Sequence, residues 1–171
     1  RLLLADEPTT ALDVTVQAQI LILLRDLKAE RGMAILLITH ALGVVAENAD
    51  TVCVMYAGKV VEYSRTREVF KNPRHPYTVG LFQSIPKLGH LRKRLDVIPG
   101  RVPSALEFPK GCRFNNRCPF ATERCTVEEP PLYEIGTGEE SHTVACHYWE
   151  KVSAAAWHKL SADKAALEAS A

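Results

Sequence analysis

Apolar residues near the start of the chain form two short continuous runs separated by a helical pattern. Residues 1–5 and 34–39 are apolar nearly throughout, which is typical of strands buried in a parallel sheet. Between them apolar side chains recur at helical spacing, with Asp13 placed as the N-cap and Gly32 placed to end the helix. The pattern predicts a strand–helix–strand unit of the α/β class.

The middle of the chain predicts shorter elements, and the texture changes after them. The predicted elements are a short helix over residues 41–48, a β-hairpin over 51–63 with a turn at Ala57-Gly58, a short helix over 66–70 and a helix over 76–84. From Pro86 onward, seven prolines interrupt every candidate element. Weak apolar periodicity there indicates loops with little core.

These patterns divide the chain into three predicted parts. Residues 1–85 carry the α/β elements, residues 86–150 form a small loop-rich module, and residues 151–171 form an Ala- and Lys-rich tail that is helical or flexible. A small module with little core usually needs a metal or another cross-link to hold it together.

Candidate chemistry lies where the two apolar runs end. Asp6 and Glu7 follow the first run, and His40 follows the second. Ligands of open α/β sheets usually bind outside the carboxyl ends of the strands. There one carboxylate can hold a Mg²⁺ ion that bridges phosphates, and the next can orient or deprotonate an attacking water. For an isolated carboxylate pair, capping of the following turn would be the simpler interpretation; the histidine at the second strand end favours a site.

The order of these motifs carries a specific resemblance. LLLADEPTTALD at residues 2–13, followed by LLITH at residues 36–40, resembles the second half of an ATP-binding-cassette (ABC) ATPase. NPRHPY at residues 72–77 and the cysteine-bearing segment after it resemble the C-terminal extension of the ATP-binding subunits of oligopeptide/dipeptide importers. The resemblance reaches to about Glu150. It implies the C-terminal half of an ABC-type, P-loop ATPase domain followed by the extension.

The resemblance implies a role for each of four polar residues. Asp6 is expected to hold Mg²⁺ through water, Glu7 to be the catalytic carboxylate and His40 to contact the γ-phosphate. Asp13 falls in the loop that crosses the dimer interface of such ATPases, and it can cap the following helix as well. Relatives usually carry Asp where this chain has Ala41, a departure that bears on the positioning of His40.

Two motifs that precede these in the family do not occur in the sequence. There is no G-x-x-x-x-G-K-[ST] phosphate loop and no LSGGQ-type signature, and the chain starts without Met inside a predicted strand. We therefore expect a fragment of a longer protein, inactive as an ATPase by itself.

By resemblance, the longer protein is the ATP-hydrolysing subunit of an ABC importer for peptides. It would use Mg-ATP, pair with a second ATPase subunit and energise membrane permease subunits at the cytoplasmic face of the membrane, with a peptide-binding protein as an indirect partner. Relatives carry peptides, nickel or glutathione, so the solute stays open. Whether the two ATPase subunits are identical stays open as well.

Composition narrows the function classes further. The formal net charge of +1 argues against a general nucleic-acid binder, and no apolar run approaches the length of a membrane span. The five cysteines do not follow the pattern of a secreted disulfide scaffold. The ATPase resemblance implies the cytosol, where thiols stay reduced.

Four of the cysteines lie in the proline-rich module with the spacing C-x5-C-x6-C-x20-C: Cys112, Cys118, Cys125 and Cys146. Four thiolates can hold a [4Fe–4S] cluster or Zn²⁺. The spacing resembles that of peptide-importer ATPases with an iron–sulfur cluster, and the lack of a Cys-x-x-Cys pair weakens a zinc ribbon. The cluster is our expectation; zinc, a disulfide and unligated thiols are the alternatives. Three arginines are expected to offset a cluster's charge: Arg113, Arg117 and Arg124.

Two other classes of function fit parts of the pattern. One is a soluble ABC ATPase without a transport role, against which the importer-type extension after Pro73 argues. The other is a metal-cluster module with a redox or regulatory role, joined to a vestigial ATPase half. An iron-dependent visible absorption band together with no nucleotide binding by the whole protein would favour the metal-cluster module.

Overall fold

The computed structural model describes residues 1–85, 97–153 and 155–157. The chain divides into two compact units, Arg1–Asp50 and Thr51–Ala171. Each unit combines helices with strands, which confirms the predicted α/β class. No described helix combines the length and the apolar composition needed to cross a membrane.

The first unit is the predicted strand–helix–strand arrangement followed by a short helix. Its two strands run parallel and pair in register from Leu2↔Ala34 to Asp6↔Ile38. Parallel pairing requires a long crossover, which the first helix supplies. The elements are β1 (Leu2–Asp6), α1 (Val14–Arg31), β2 (Ala34–Ile38) and α2 (Leu42–Asn48).

Both predicted caps of α1 are confirmed. Asp13 Oδ1 accepts hydrogen bonds from the backbone amides of Thr15 and Val16, each 3.0 Å long. Gly32 adopts the left-handed conformation with φ 54°, which a residue with a Cβ rarely tolerates at a helix end. The two ends of the crossover helix are therefore set by local interactions of Asp13 and Gly32.

The prediction that the two strands are buried is wrong for this chain. Leu2 is 62% and Leu4 65% exposed, and Leu36 and Ile38 are about half exposed. Side chains two residues apart share a face of a sheet, so these residues form one face that nothing in the first unit covers. The opposite face is better covered, and Ala5 is buried there.

The second unit is built on a four-stranded antiparallel sheet with the strand order β3-β4-β6-β5. The predicted hairpin is confirmed: Ala57 (φ 48°) and Gly58 (φ 79°) are both left-handed, as in the turns that suit twisted strands. The elements are β3 (Thr51–Tyr56), β4 (Lys59–Arg65), α3 (Thr66–Lys71), α4 (Pro76–Gln83), α5 (Glu123–Val127), β5 (Tyr133–Ile135) and β6 (His142–Val144), with 3₁₀ turns at Ala105–Glu107, Gly138–Glu140 and Trp149–Lys151.

One core serves the hairpin and the cysteine-bearing segment together. Phe114, 1% exposed, meets the rings of Tyr56 and Tyr77 at centroid distances of 5.1 and 5.6 Å. The expectation of a module with little core therefore overlooked apolar partners that come from distant parts of the chain. The buried apolar cluster comprises Tyr56, Val61, Val79, Phe114, Cys118, Val144, Cys146, Val152 and Trp157.

Helix α4 begins at the sequence His75-Pro76-Tyr77. His75 is the N-cap: its Nδ1 accepts a hydrogen bond of 3.1 Å from the backbone amide of Tyr77. Pro76 occupies the first helical position, where no amide hydrogen is needed. The predicted place of His75 at a helix N-terminus is thus confirmed. Most of the predicted tail over residues 151–171 lies outside the described residues.

Candidate functional site

The first candidate site lies at the carboxyl ends of β1 and β2. Because the strands are parallel neighbours, their ends meet at one edge, and the Glu7 amide donates to the Ile38 carbonyl over 2.9 Å. Beyond it, Glu7 Oε1 and His40 Nδ1 lie 3.2 Å apart. The structure therefore brings together the two residues that the sequence predicts to be catalytic.

A second contact orients the Glu7 carboxylate. The hydroxyl of Thr10 donates to Glu7 Oε2 over 3.0 Å, so each carboxylate oxygen has one partner. The bond with His40, followed by that with Thr10, lowers the pKa of the Glu7 carboxyl below its usual value. Glu7 itself has φ 44°, an uncommon conformation for a residue with a Cβ and one that occurs often at functional turns.

Thr10 is a site residue that sequence reasoning missed. Its amide donates to the carbonyl of Glu7 over 3.1 Å, which closes a turn directly after β1. A turn brings the residue three positions on back towards its first residue, and that spacing is the signal from which Thr10 could have been found.

The other two predicted residues of this unit lie on either side of that turn. Asp6 ends β1 with an exposed side chain, and its carboxylate makes no hydrogen bond within the described part of the chain. Asp13 uses one carboxylate oxygen to cap α1. Mg²⁺ prefers oxygen ligands and keeps several waters, so Asp6 fits an ion held through water.

The residue after His40 shows the effect of the departure at Ala41. Ala41 is the N-cap of α2 and has no side chain that can accept a hydrogen bond there. Its own amide donates to Thr39 Oγ1 over 3.1 Å instead. His40 is therefore held by Glu7 and by the β2 end, without a carboxylate at the following position.

The second candidate site is a small cavity in the second unit on which all four predicted cysteines converge. The cavity has a volume of about 20 Å³, room for about one water or one ion. Its lining residues are His75, Pro76, Cys112, Phe114, Asn115, Cys118, Phe120, Cys125, Pro130, Cys146, His147 and Tyr148. Four cysteines separated by up to 34 positions in sequence thus share one enclosed space.

Backbone hydrogen bonds hold the cysteine loops. The Cys112 amide donates to the Cys125 carbonyl over 2.9 Å, and Asn115 Nδ2 donates to the same carbonyl over 3.2 Å. A Cβ on Gly111 would lie 2.4 Å from that carbonyl oxygen, so only glycine permits this approach. The Tyr148 amide donates to Cys146 Sγ over 3.4 Å.

Burial keeps these thiols in the neutral form. It raises the pKa of Cys112, raises that of Cys118 well above its usual value and raises that of Cys146 to about 12. The neighbouring cysteines also raise the pKa of each of these three, because nearby thiolates would repel one another. A bound metal ion would favour the ionised form of these thiols, because a coordinating thiol loses its proton.

The residues fit a Cys₄ group in identity and in convergence, but no ready-made metal site is present. Among the described residues, no group of three or more His, Cys, Asp or Glu side chains is arranged so that it could hold a metal ion. The five cysteines are free thiols. The side chains around the cavity would have to move apart to admit a cluster.

The three arginines near the cysteines have other partners. Arg113 donates to the Ala57 carbonyl. Arg117 donates to the carbonyls of Ile98 and Pro99. These three hydrogen bonds tie the cysteine segment to backbone carbonyls without neutralising either arginine. Arg124 is paired with Glu128 through two hydrogen bonds of 2.8 Å, and its role beside a cluster stays a prediction.

Two histidines of the cavity wall were not predicted as site residues. His75 was assigned only to the helix terminus, yet its ring also lines the cavity. His147 follows Cys146 and contacts the Glu128 carbonyl through Nε2 over 3.1 Å. The sequence pair Cys146-His147 was the available signal.

Comparison with known proteins agrees with both halves of the sequence resemblance. Residues 61–125 match the family model of the oligopeptide/dipeptide transporter C-terminal region. The chain is 55% identical over 139 residues to the oligopeptide transport ATP-binding protein OppD of Haemophilus influenzae, covering 81% of this chain and 43% of that protein. It is 50% identical over 148 residues to the dipeptide transport ATP-binding protein DppD of Escherichia coli K12, covering 86% and 44%.

The matched family region begins in β4 and ends at Cys125, so it starts before the predicted module boundary at residues 85/86. The chain spans less than half the length of these two relatives. On these similarities, the chain resembles part of an ATP-binding protein of the oligopeptide/dipeptide ABC importer family.

Proposed function

We propose that this chain supplies the water-activating half of an ATP-hydrolysis site in the ATP-binding subunit of an ABC importer for peptides. The observation that carries the proposal is the contact between Glu7 and His40 at the common edge of two parallel strands. The relatives named as peptide transport ATP-binding proteins support the same reaction.

Glu7 is the residue proposed to orient the attacking water. Its lowered pKa keeps the carboxylate ionised at neutral pH but makes it a weaker base, so alignment of the water contributes more than full proton removal. An ionised carboxylate only accepts, so the Nδ1–H of His40 donates to it. Nε2 of His40 is then the nitrogen left to meet the γ-phosphate, to which it donates when the ring carries both protons.

Mg²⁺, when bound with ATP, supplies positive charge that neutralises the phosphates. Asp6 is the residue proposed to hold it through water, because its carboxylate is exposed beside Glu7. Asp13 is proposed to act across the interface with a second ATPase subunit while it caps α1.

The transport role is proposed for the whole subunit. Permease subunits of the membrane and, through them, a peptide-binding protein would be its partners, and it would be peripheral to the cytoplasmic face of the membrane. A net charge of +1 argues against a general nucleic-acid binder. Peptide is the proposed solute class; nickel and glutathione are the alternatives, and the second ATPase subunit is either a copy or a sibling.

This chain alone is proposed to be inactive as an ATPase. Its sequence holds no phosphate loop, whose backbone amides and lysine supply most phosphate contacts in such enzymes. Titration of the purified chain with millimolar Mg-ATP should show neither saturable binding nor turnover. Micromolar affinity with turnover would contradict this.

The ATPase role is tested by replacing Glu7 in the intact subunit. Glu7→Gln keeps the size of the side chain but cannot orient water as a carboxylate does, so multiple turnover should be abolished while ATP binding is retained. Glu47→Gln, on the exposed side of α2, is the matched control and should hydrolyse ATP at the wild-type rate. If Glu7→Gln kept more than about a tenth of that rate, a barrier change below ~1.4 kcal/mol, Glu7 would not be the catalytic carboxylate.

We also propose that the cysteine cavity holds a metal group, with a [4Fe–4S] cluster favoured over zinc. The carrying observation is that Cys112, Cys118, Cys125 and Cys146 line one enclosed cavity, which gives the donor set of a Cys₄ site. A structural role is proposed, because ATP-driven transport needs no electrons. The group would link loops that the sequence separates widely.

Elemental analysis of anaerobically purified protein tests the metal proposal. About four irons per chain are expected for the cluster, and about one zinc for the alternative. Changing any of the four cysteines to Ser should remove the metal, whereas Cys53→Ser should leave it in place, since Cys53 lies exposed on β3. Absence of both iron and zinc would leave unligated thiols. Iron without nucleotide binding by the intact subunit would favour the regulatory module with a vestigial ATPase half.

A further inference from the structure

A buried carboxylate that neither proposal uses lies in the middle of the second unit. Glu62, on β4, has no exposed surface, although a carboxylate is among the side chains most costly to bury. A buried charge of this kind persists only where polar partners surround it.

The partners of Glu62 come from two other segments of the chain. Its Oε1 accepts from the Arg74 amide over 2.6 Å, and its Oε2 accepts from the His75 amide over 3.0 Å. Oε1 also lies 2.6 Å from Nε2 of His142, a residue of β6 that is itself buried. The carboxylate therefore joins β4, the turn before α4 and β6 at one point.

Two of these segments lead directly into the cysteine cavity. The turn held by Glu62 continues into His75 and Pro76, which line the cavity. Strand β6 ends at Val144, and the Ala145 amide donates to the Val61 carbonyl over 2.9 Å, immediately before Cys146. The positions of Cys146 and His75 at the cavity thus depend on the segments that Glu62 joins.

We propose that Glu62 is the positioning residue of the cysteine cavity: its carboxylate fixes His75 and β6 so that the four thiols stay enclosed and Cys146 faces the other three. The enclosure of the thiols stands on the geometry alone. The consequence for metal loading rests on the metal group proposed above.

The geometry explains why glutamine cannot replace this carboxylate. The amides of Arg74 and His75 are obligate donors, and they bind different oxygens of Glu62. A glutamine offers one oxygen and one NH₂ group, so either orientation sets an NH₂ against one of the two amides. One buried donor is left without an acceptor, which favours local opening of the turn.

Thiol alkylation of the full chain, prepared free of metal, tests the enclosure. Cysteine-by-cysteine reaction with iodoacetamide is followed by mass spectrometry in wild type, Glu62→Gln and the control Glu134→Gln, whose side chain is exposed on β5. Exposed Cys53 is the internal reference. In Glu62→Gln, the alkylation rates of Cys118 and Cys146, relative to that of Cys53, should rise about tenfold or more. These rates should be the same with and without low concentrations of urea, because local opening exposes little additional surface.

A second variant covers the case in which Glu62→Gln does not fold. His142→Asn removes the ring that bonds to Oε1 and leaves both backbone amides with their oxygens, so a smaller acceleration at the same two cysteines is expected. Any of three results would overturn the proposal. The alkylation rates could be unchanged in a folded Glu62→Gln variant, they could rise only through urea-dependent global unfolding, or the cavity thiols of the wild type could be as reactive as Cys53.

Iron and zinc analysis of the same proteins, purified anaerobically, separates this inference from the metal proposal. Wild type and Glu134→Gln should load metal, and Glu62→Gln should lose most of it while staying folded. If wild type loads none but Glu62→Gln exposes the thiols, the positioning role stands and the metal proposal falls. If wild type loads metal and the thiols of Glu62→Gln stay protected, the positioning role falls and the metal proposal stands.

Discussion

At the scale of single residues, Glu7 has two side-chain partners, of which the sequence predicted one and not the other. His40 was foreseeable, because it ends a second apolar strand parallel to the first, and parallel neighbours end at the same edge. Thr10 was not, because its role depends on the turn that brings its hydroxyl back to Glu7. The proximity of Glu7 and His40 could be predicted from the sequence, but the orientation of the carboxylate could not.

His75 gives a prediction about the pH dependence of stability. Burial lowers its pKa to about 4, and its Nδ1 must stay unprotonated to cap α4. The pKa in the unfolded chain is higher, about 6.5. Stability from the neutral ring is therefore complete above about pH 6.5 and is lost as the pH falls towards 4, by roughly 3 kcal/mol in total.

Unfolding free energies of the second unit between pH 7.5 and 4 measure this loss. His75→Asn keeps an acceptor at the helix N-cap but has no group that titrates in this range. The stability advantage of wild type over His75→Asn should shrink as the pH drops below about 6.5. An advantage that stays constant down to pH 4 would show that the buried ring does not resist protonation.

At the scale of elements, local chemistry decided which parts could be predicted. Helix α1 and the hairpin were predictable because Asp13, Gly32 and the Ala57-Gly58 turn set their ends by local geometry. Strands β5 and β6 have only three residues each. They pair with one another, and β6 also pairs with β4. Their formation depends on partners distant in sequence, which a pattern of alternating residues over three positions cannot show.

Gly111 gives a prediction for the cysteine loops. Because a Cβ there would lie 2.4 Å from the Cys125 carbonyl oxygen and 2.7 Å from the Thr126 carbonyl carbon, Gly111→Ala should push the two loops apart, at a cost of about 1–3 kcal/mol. Hydrogen exchange of the amides of residues 112–127 should accelerate. Gly43→Ala is the control, since its Cβ would meet nothing within 4 Å; exchange over 112–127 should stay unchanged. Equal exchange in Gly111→Ala and wild type would contradict the close approach.

At the scale of the whole molecule, each unit carries one candidate site: the exposed Glu7–His40 pair in the first unit and the cysteine cavity in the second. The sequence predicted buried β-strands in the first unit. Whether a strand is buried depends on other residues that pack on it, and the sequence of the strand itself does not show them. In the second unit the four-stranded sheet combines β3 and β4 with β5 and β6, so the hairpin shares its core with the cysteine loops across the predicted boundary at residues 85/86. That boundary remains a prediction.

The two candidate sites make different demands on the molecule. The Glu7–His40 pair is exposed and needs phosphate-binding groups that this chain does not carry in its sequence. The cysteine cavity brings four thiols together, three of them buried, but among the described residues they are not arranged as a ready-made metal site. If the proposed metal group is bound there, its loss should weaken the second unit and leave the geometry of Glu7 and His40 unchanged.

The central claim is that Glu7 and His40 act as one hydrogen-bonded unit in an ATP-hydrolysis site, and a double-mutant cycle tests it most directly. Single-turnover hydrolysis of saturating Mg-ATP is measured for the intact subunit as wild type, Glu7→Gln, His40→Ala and the double variant. Because the two groups share one hydrogen bond, we predict that each single change slows hydrolysis at least about a hundredfold and that the double variant is hardly slower than the slower single variant. Losses that multiply in the double variant, or a single variant with the wild-type rate, would contradict the claim.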